Sequence, residues 1–176
     1  MSSDRMMDLS SERVELYKRI YPAVDIRPLD LFPSPTHKPV WDLKVKHLGR
    51  NYDVAGLFNF DENSNQQIYL NWSELGIAGD QPVHVYDFWN KEYVGVYRKG
   101  YSTVLGPTSC KVLTLLPATA DIQLISTSRH MTQGWVDLLS LECDAAKASF
   151  KGRSRVIKND PYVLTFAFPP GKNFAV

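Results

Sequence analysis

Val83-His84-Val85-Tyr86-Asp87-Phe88-Trp89, then Asn90-Lys91-Glu92, then Tyr93-Val94-Gly95-Val96-Tyr97, is the passage that decides the fold. Two runs rich in β-branched and aromatic residues flank three turn-forming residues, which is the pattern of an antiparallel hairpin. In the first run Val85, Asp87 and Trp89 share one strand face, and Tyr86 and Phe88 share the other. Outward from this hairpin the same grammar repeats. Residues 40–46, 52–60 and 67–72 precede it, and 101–105, 110–116, 121–128, 135–142, 145–150, 154–158 and 162–168 follow. Short strands at intervals of about 8–12 residues, separated by Gly, Pro and Asn, predict an all-β, antiparallel β-sandwich of Greek-key type.

The convincing helix lies at the other end of the chain, over residues 9–21. Ser10 or Ser11 can cap it, Glu12 and Glu15 suit the positive N-terminus, and Lys18 and Arg19 suit the C-terminus. Leu9, Arg13, Leu16, Tyr17 and Ile20 follow helical spacing, and Pro22 ends the run. So short a helix is unstable alone in water and has to dock. Between helix and sandwich, residues 23–39 hold Pro28, Pro33, Pro35 and Pro39 together with Ile26, Leu29, Leu31 and Phe32. That composition predicts a connector lying against a surface. The expected organisation is therefore 1–22 helix, 23–39 connector and 40–176 sandwich.

The 176 residues suffice for one domain with a real core. A formal net charge of +1 gives no global field to attract nucleic acid, and no apolar stretch approaches the ~20 residues of a spanning helix. Neither nucleic acid nor membrane is an expected partner, and residues 1–8 lack the apolar core of a signal peptide. Cys110 and Cys143 read as two small buried hydrophobes, with a disulfide between them as the alternative. They offer no metal-ligand spacing, and no cofactor is implied.

Four groups invite a chemical role. Asp61-Glu62-Asn63-Ser64-Asn65 opens like a calcium loop, but Gln66 stands where the turn needs Gly and Trp72 where a bidentate Glu is required. A solvated turn is the expectation. Ser126, Ser128 and His130 alternate, with Asp137 nearby, yet no Gly-x-Ser-x-Gly elbow accompanies them. Hydrogen bonding at a strand end is expected instead. Asp87 in its apolar run is either a general acid or a structural acid bound by backbone amides or a base. A glycosidase needs two facing carboxyl groups, and no second one is evident. Lys147, Lys151, Arg153, Arg155 and Lys158 form a basic stretch with only Phe150 interleaved, which reads as a solvated face.

Aromatics make up 12% of the chain, enough to build a sandwich core with several to spare. Trp41, Trp72, Trp89, Trp135, Tyr93 and Tyr97 could each serve the core or stack on a sugar ring. Trp72, Trp89 and Tyr93 are the expected sugar-binding residues if they are exposed.

The wording of the strands resembles the C-terminal β-sandwich domain of α-galactosidase (melibiase)-like glycoside hydrolases. Ser3-Asp4, Leu9-Ser10-Ser11-Glu12-Arg13 and Tyr21-Pro22 look like the end of that family's barrel, and Arg27-Pro28-Leu29-Asp30-Leu31-Phe32 like its crossing to the sandwich. Trp41 through Val45, Val54 through Phe60, Leu75-Gly76-Ile77, and Val85 through Trp89 look like its strands. Ile125 through His130 and Gln133-Gly134 extend the match. Where many relatives carry Pro-His, this chain has Pro107-Thr108.

The resemblance implies a sandwich that follows a catalytic (β/α)8 barrel and supports it. The family's catalytic aspartates lie on barrel strands that have no counterpart here, so no catalytic residue is carried over. Three roles follow as expectations: an accessory domain whose partner is the barrel, a carbohydrate-binding module, and a small standalone hydrolase. The first predicts an apolar patch where the barrel would sit, or self-association that hides it.

Overall fold

The computed structural model describes residues 5–24, 38–144 and 149–168. Among the described residues, a 3-10 turn at Met6–Asp8 is followed by helix α1 (Ser11–Ile20) and then by eleven strands. These are β1 (Val40–His47), β2 (Arg50–Asn59), β3 (Gln66–Asn71), β4 (Val83–Asp87), β5 (Glu92–Tyr97) and β6 (Gly100–Leu105). They continue with β7 (Ser109–Pro117), β8 (Gln123–Thr127), β9 (Leu138–Asp144), β10 (Ser149–Ser154) and β11 (Leu164–Ala167). All pairings are antiparallel, as the hairpin passage predicts. A five-stranded sheet ordered β1-β2-β7-β4-β5 is the backbone of the fold, and β3-β6, β8-β11 and β9-β10 form two-stranded ribbons. The fold is an all-β antiparallel sandwich.

The central sheet is apolar on both faces because it is covered on both faces. On one, Ala55, Leu57, Val83, Val85, Leu113 and Leu115 meet Ile68, Leu70 and Leu105 of the β3-β6 ribbon, with Trp72 beside them. On the other, Val45, Tyr52, Val54, Tyr86 and Leu116 pack with Ile125 of β8. Each fully buried branched side chain contributes roughly 1.5–3 kcal/mol. The second cover is partial. Trp41 lies opposite Gly56 in register, on the Val54 face, and its ring leans on Phe58 at 5.0 Å, which stacks on Phe60 at 5.6 Å. Trp41 is 50% exposed and Phe60 46%, so this end of the sheet carries partly exposed aromatic rings.

Helix α1 starts where expected, with the Ser10 side chain accepting from the Arg13 N–H. Its attachment differs from the expected apolar stripe. Leu16 and Ile20 face solvent, and α1 has no fully buried residue. It is held by its C-terminal end instead, where helical carbonyls lack internal partners. The Met131 N–H donates to Arg19 O at 2.8 Å, and Arg129 donates to Lys18 O and to Tyr21 O. Arg19 grips Asp160 through two bonds of 2.6 and 2.8 Å.

Several boundaries move. The strand expected over 135–142 begins at Leu138, because residues 131–137 form turns that carry buried polar groups. The expected strand at 154–158 is irregular, and β10 takes the preceding residues. The hairpin turn occupies residues 88–91 rather than 90–92, with Lys91 at φ 55°. In β5, Gly95 pairs with Val85 and Tyr93 with Tyr86, so Val94 is an extra residue, and Gly95 adopts φ 138°. Both cysteines are free and exposed, which overturns their reading as buried hydrophobes and the disulfide alternative alike. The connector's expected burial falls largely on residues 25–37, outside those described, as does Lys147.

Candidate functional site

Asp87 sets the geometry of the β4–β5 turn. The carboxylate is wholly buried and accepts from the Asn90 backbone N–H at 3.2 Å and from Asn90 Nδ2 at 2.8 Å. Lys111 Nζ lies 3.2 Å away on the neighbouring strand. The acid in the apolar run is therefore a structural one, bound to a backbone amide, a side-chain amide and a base. With the turn so fixed, Phe88 folds inward, its N–H donating to Val112 O at 2.9 Å, and Trp89 stands edge-on to it at 4.9 Å. Tyr93, across the turn, is 46% exposed, and its hydroxyl bonds His84 Nδ1 at 2.8 Å.

Trp89 and Tyr93 form one wall of a cleft of about 590 Å³. Glu15, Lys18 and Arg19 of α1 supply a second wall, and Asn159, Asp160, Pro161, Val163 and Thr165 the third. The Arg19–Asp160 pair lies at this junction. Its guanidinium holds the Asp160 carboxyl below the ordinary carboxylate value, and the Asp160 bond raises Arg19 in return. Of the three expected sugar-binding residues, the structure thus brings Trp89 and Tyr93 together. Trp72 is corrected: it is fully buried in the first core, with Nε1 donating to Tyr97 O at 3.3 Å, and has no face to offer a ligand.

The serine–histidine grouping is not a triad. Ser126 Oγ donates to Gln133 Oε1 at 2.8 Å, and Ser128 Oγ accepts from the Val163 N–H at 2.8 Å. His130 is buried, with Nδ1 against Thr132 and Nε2 3.1 Å from Pro22 O. Asp137 accepts from the Tyr162 hydroxyl at 2.8 Å. These groups fasten turns rather than activate a nucleophile. Asp61 spends its carboxylate on the Asn63 and Ser64 N–H groups, both at 2.8 Å, and those bonds lower its pKa. Among the described residues no three metal-ligating side chains gather. Lys151 and Arg153 are exposed on β10, with Lys151 opposite Glu142 in register.

Sequence reasoning missed a polar knot beneath residues 131–137. Arg50 donates to Gln133 O at 3.2 Å and Ile125 O at 3.0 Å and lies 4.3 Å over the Tyr52 ring. The Tyr52 hydroxyl donates to Thr132 O at 2.6 Å, and burial pushes its pKa up to about 12. Gly134, at φ 116°, leaves room that a Cβ would fill at 2.5 Å from Arg50 Nη1. The signal was the Gln133-Gly134 pair, whose role no pattern of charges or apolar spacing reveals.

The fold that holds these groups is a two-faced antiparallel sandwich. Residues 40–115 match the family model described as the alpha galactosidase C-terminal beta sandwich domain. Among solved structures it is similar to a GH27 β-L-arabinopyranosidase from Geobacillus stearothermophilus, crystallised with arabinose. The identity is 24%, over 46% of this chain and 17% of that one, with a TM-score of 0.40. Similarity to α-galactosidase I from Mortierella vinacea is 11% identity over 47% and 22%, TM-score 0.40. For a putative α-N-acetylgalactosaminidase from Bacillus halodurans the values are 14%, 45%, 21% and 0.34. The matched part of this chain corresponds to about a fifth of each of these proteins. No curated protein matches the chain. No helix among the described residues is long and apolar enough to cross a membrane.

Proposed function

We propose that this chain is the accessory sandwich of an α-galactosidase-like glycoside hydrolase, and that it braces a catalytic (β/α)8 barrel. The observation that supports the reading is the half-exposed ring of Trp41, leaning on Phe58 within the family-matched segment. Exposed apolar area of this kind on a sheet face otherwise buried marks an interaction surface. Leu16 and Ile20 add exposed apolar side chains on α1, which is the last helix of the barrel in this reading. Without the barrel, the same surface favours self-association.

The test is coexpression with an α-galactosidase-type barrel from the same organism. Co-elution and a raised melting temperature of the barrel are expected, and both are lost in the Trp41→Ser/Phe60→Ser variant. Absence of any complex refutes the bracing role. Hydrolysis of a chromogenic galactoside by the isolated chain refutes its non-catalytic character. A second reading, a carbohydrate-binding module, is supported by the meeting of Trp89 and Tyr93 in one cleft. Saturable binding of galactosides by the isolated chain favours it.

A further inference from the structure

We propose that the cleft between α1, the β4–β5 turn and residues 159–163 is a binding site for a neutral saccharide, complete only when α1 is docked. The inference rests on the binding-module reading and assigns it a place, a ligand class and a dependence on the helix. The cleft's volume, about 590 Å³, lies within the range of small-molecule sites, which combine aromatic surface with a few fixed polar groups. Trp89 and Tyr93 supply the aromatic surface, and each presents an apolar ring with a polar edge.

The charges select the ligand. Three cations and two acids line the cleft, namely Lys18, Arg19 and Lys91 with Glu15 and Asp160. Lys18 is already paired with Glu15, and Arg19 with Asp160 and Glu15. Little net field remains for an anion such as a phosphate or an acidic peptide. The paired carboxylates keep lone pairs that accept hydroxyl protons, and Lys91 and Asn159 at the rim can donate. A ligand that matches this surface has an apolar ring face and a girdle of uncharged hydroxyls, which describes a pyranose. One wall belongs to α1, and Arg19–Asp160 is the side-chain pair that joins it to the opposite wall, beside the Met131 and Arg129 bonds to its last turn.

The experiment is a calorimetric and ligand-observed NMR titration of the full chain with pyranose mono- to tetrasaccharides, galactopyranose-terminated ones included. Saturable binding is expected, weakened about ten-fold by Tyr93→Ala and by Trp89→Ala, each of which removes one of the two ring faces. Arg19→Met is expected to weaken it as well. Tyr69→Ala, which alters a 71% exposed ring on β3, leaves it unchanged. Binding that survives Tyr93→Ala and Trp89→Ala, or that is lost in Tyr69→Ala, overturns the cleft while sparing the module reading. Binding indifferent to Arg19→Met overturns the dependence on the helix. No saturation with any saccharide at millimolar concentration overturns the site and the module reading together.

Discussion

Arg19→Met removes the ion-pair clamp between α1 and the sandwich while keeping the aliphatic stem and the Met131 and Arg129 bonds to the last helical turn. The side chains of Arg19 and Asp160 are 17% and 6% exposed, joined by bonds of 2.6 and 2.8 Å. A surface ion pair is worth about 0–1 kcal/mol, and breaking a fully buried one costs about 3–5. A largely desolvated acid facing a partly wetted guanidinium falls between, at about 2–3 kcal/mol. The loss is local to the helix and its docking loop, so native-state hydrogen exchange is the assay. Protection of the α1 amides should fall roughly 30- to 150-fold, with the central sheet unaffected.

The pH dependence provides a second readout of the same clamp. Arg19 holds the Asp160 carboxyl below its ordinary value of 3.8. A depressed folded value means the pair's contribution is full above that ordinary value and is lost as the pH falls through the folded one. The gap between wild type and variant should therefore be constant at neutral pH and close in acid. Equal exchange of α1 amides in the two proteins at pH 7, or a gap that persists in strong acid, would refute the assignment of the clamp.

Trp72→Ala empties a fully buried site and should cost about 3–5 kcal/mol in a denaturation experiment, leaving saccharide binding per folded molecule intact. Asp87→Ala removes the acceptor of the Asn90 N–H and the partner of the Lys111 ammonium, and should cost about 2–4 kcal/mol by the same measurement. Asp87→Asn should cost less, because its amide oxygen still accepts. Burial holds the His84 and His130 imidazoles below the ordinary value of 6.5. The unfolded chain then protonates first, so stability should be greatest above pH 6.5 and decline as the pH falls toward the depressed values. His130→Gln should flatten that profile in denaturant titrations at pH 5 and 8.

The antiparallel architecture was legible because period-two alternation and turn residues leave a local record. The same alternation explains why the sequence pattern starts β9 three residues early: Trp135, Val136 and Asp137 alternate like a strand. Their backbone turns instead, because Arg50 and Tyr52, 80 or so residues away, bind the carbonyls of residues 132 and 133. Trp72 and Trp89 are chemically alike in the sequence, and only the β3-β6 ribbon decides that one is core and the other cleft. The helix was recognised from its caps and spacing. Its mode of attachment was not, because backbone carbonyls have no sequence signature.

That attachment fixes a direction. The sandwich grips α1 by its final turn, so the heading of the residues N-terminal to it is set at Arg19 and carried rigidly along the helix. One residue inserted between Leu16 and Arg19 would swing the preceding surface about 100° around the axis. The joint behaves like a keyed shaft, tolerant of new side chains on its outer face and intolerant of any change in length.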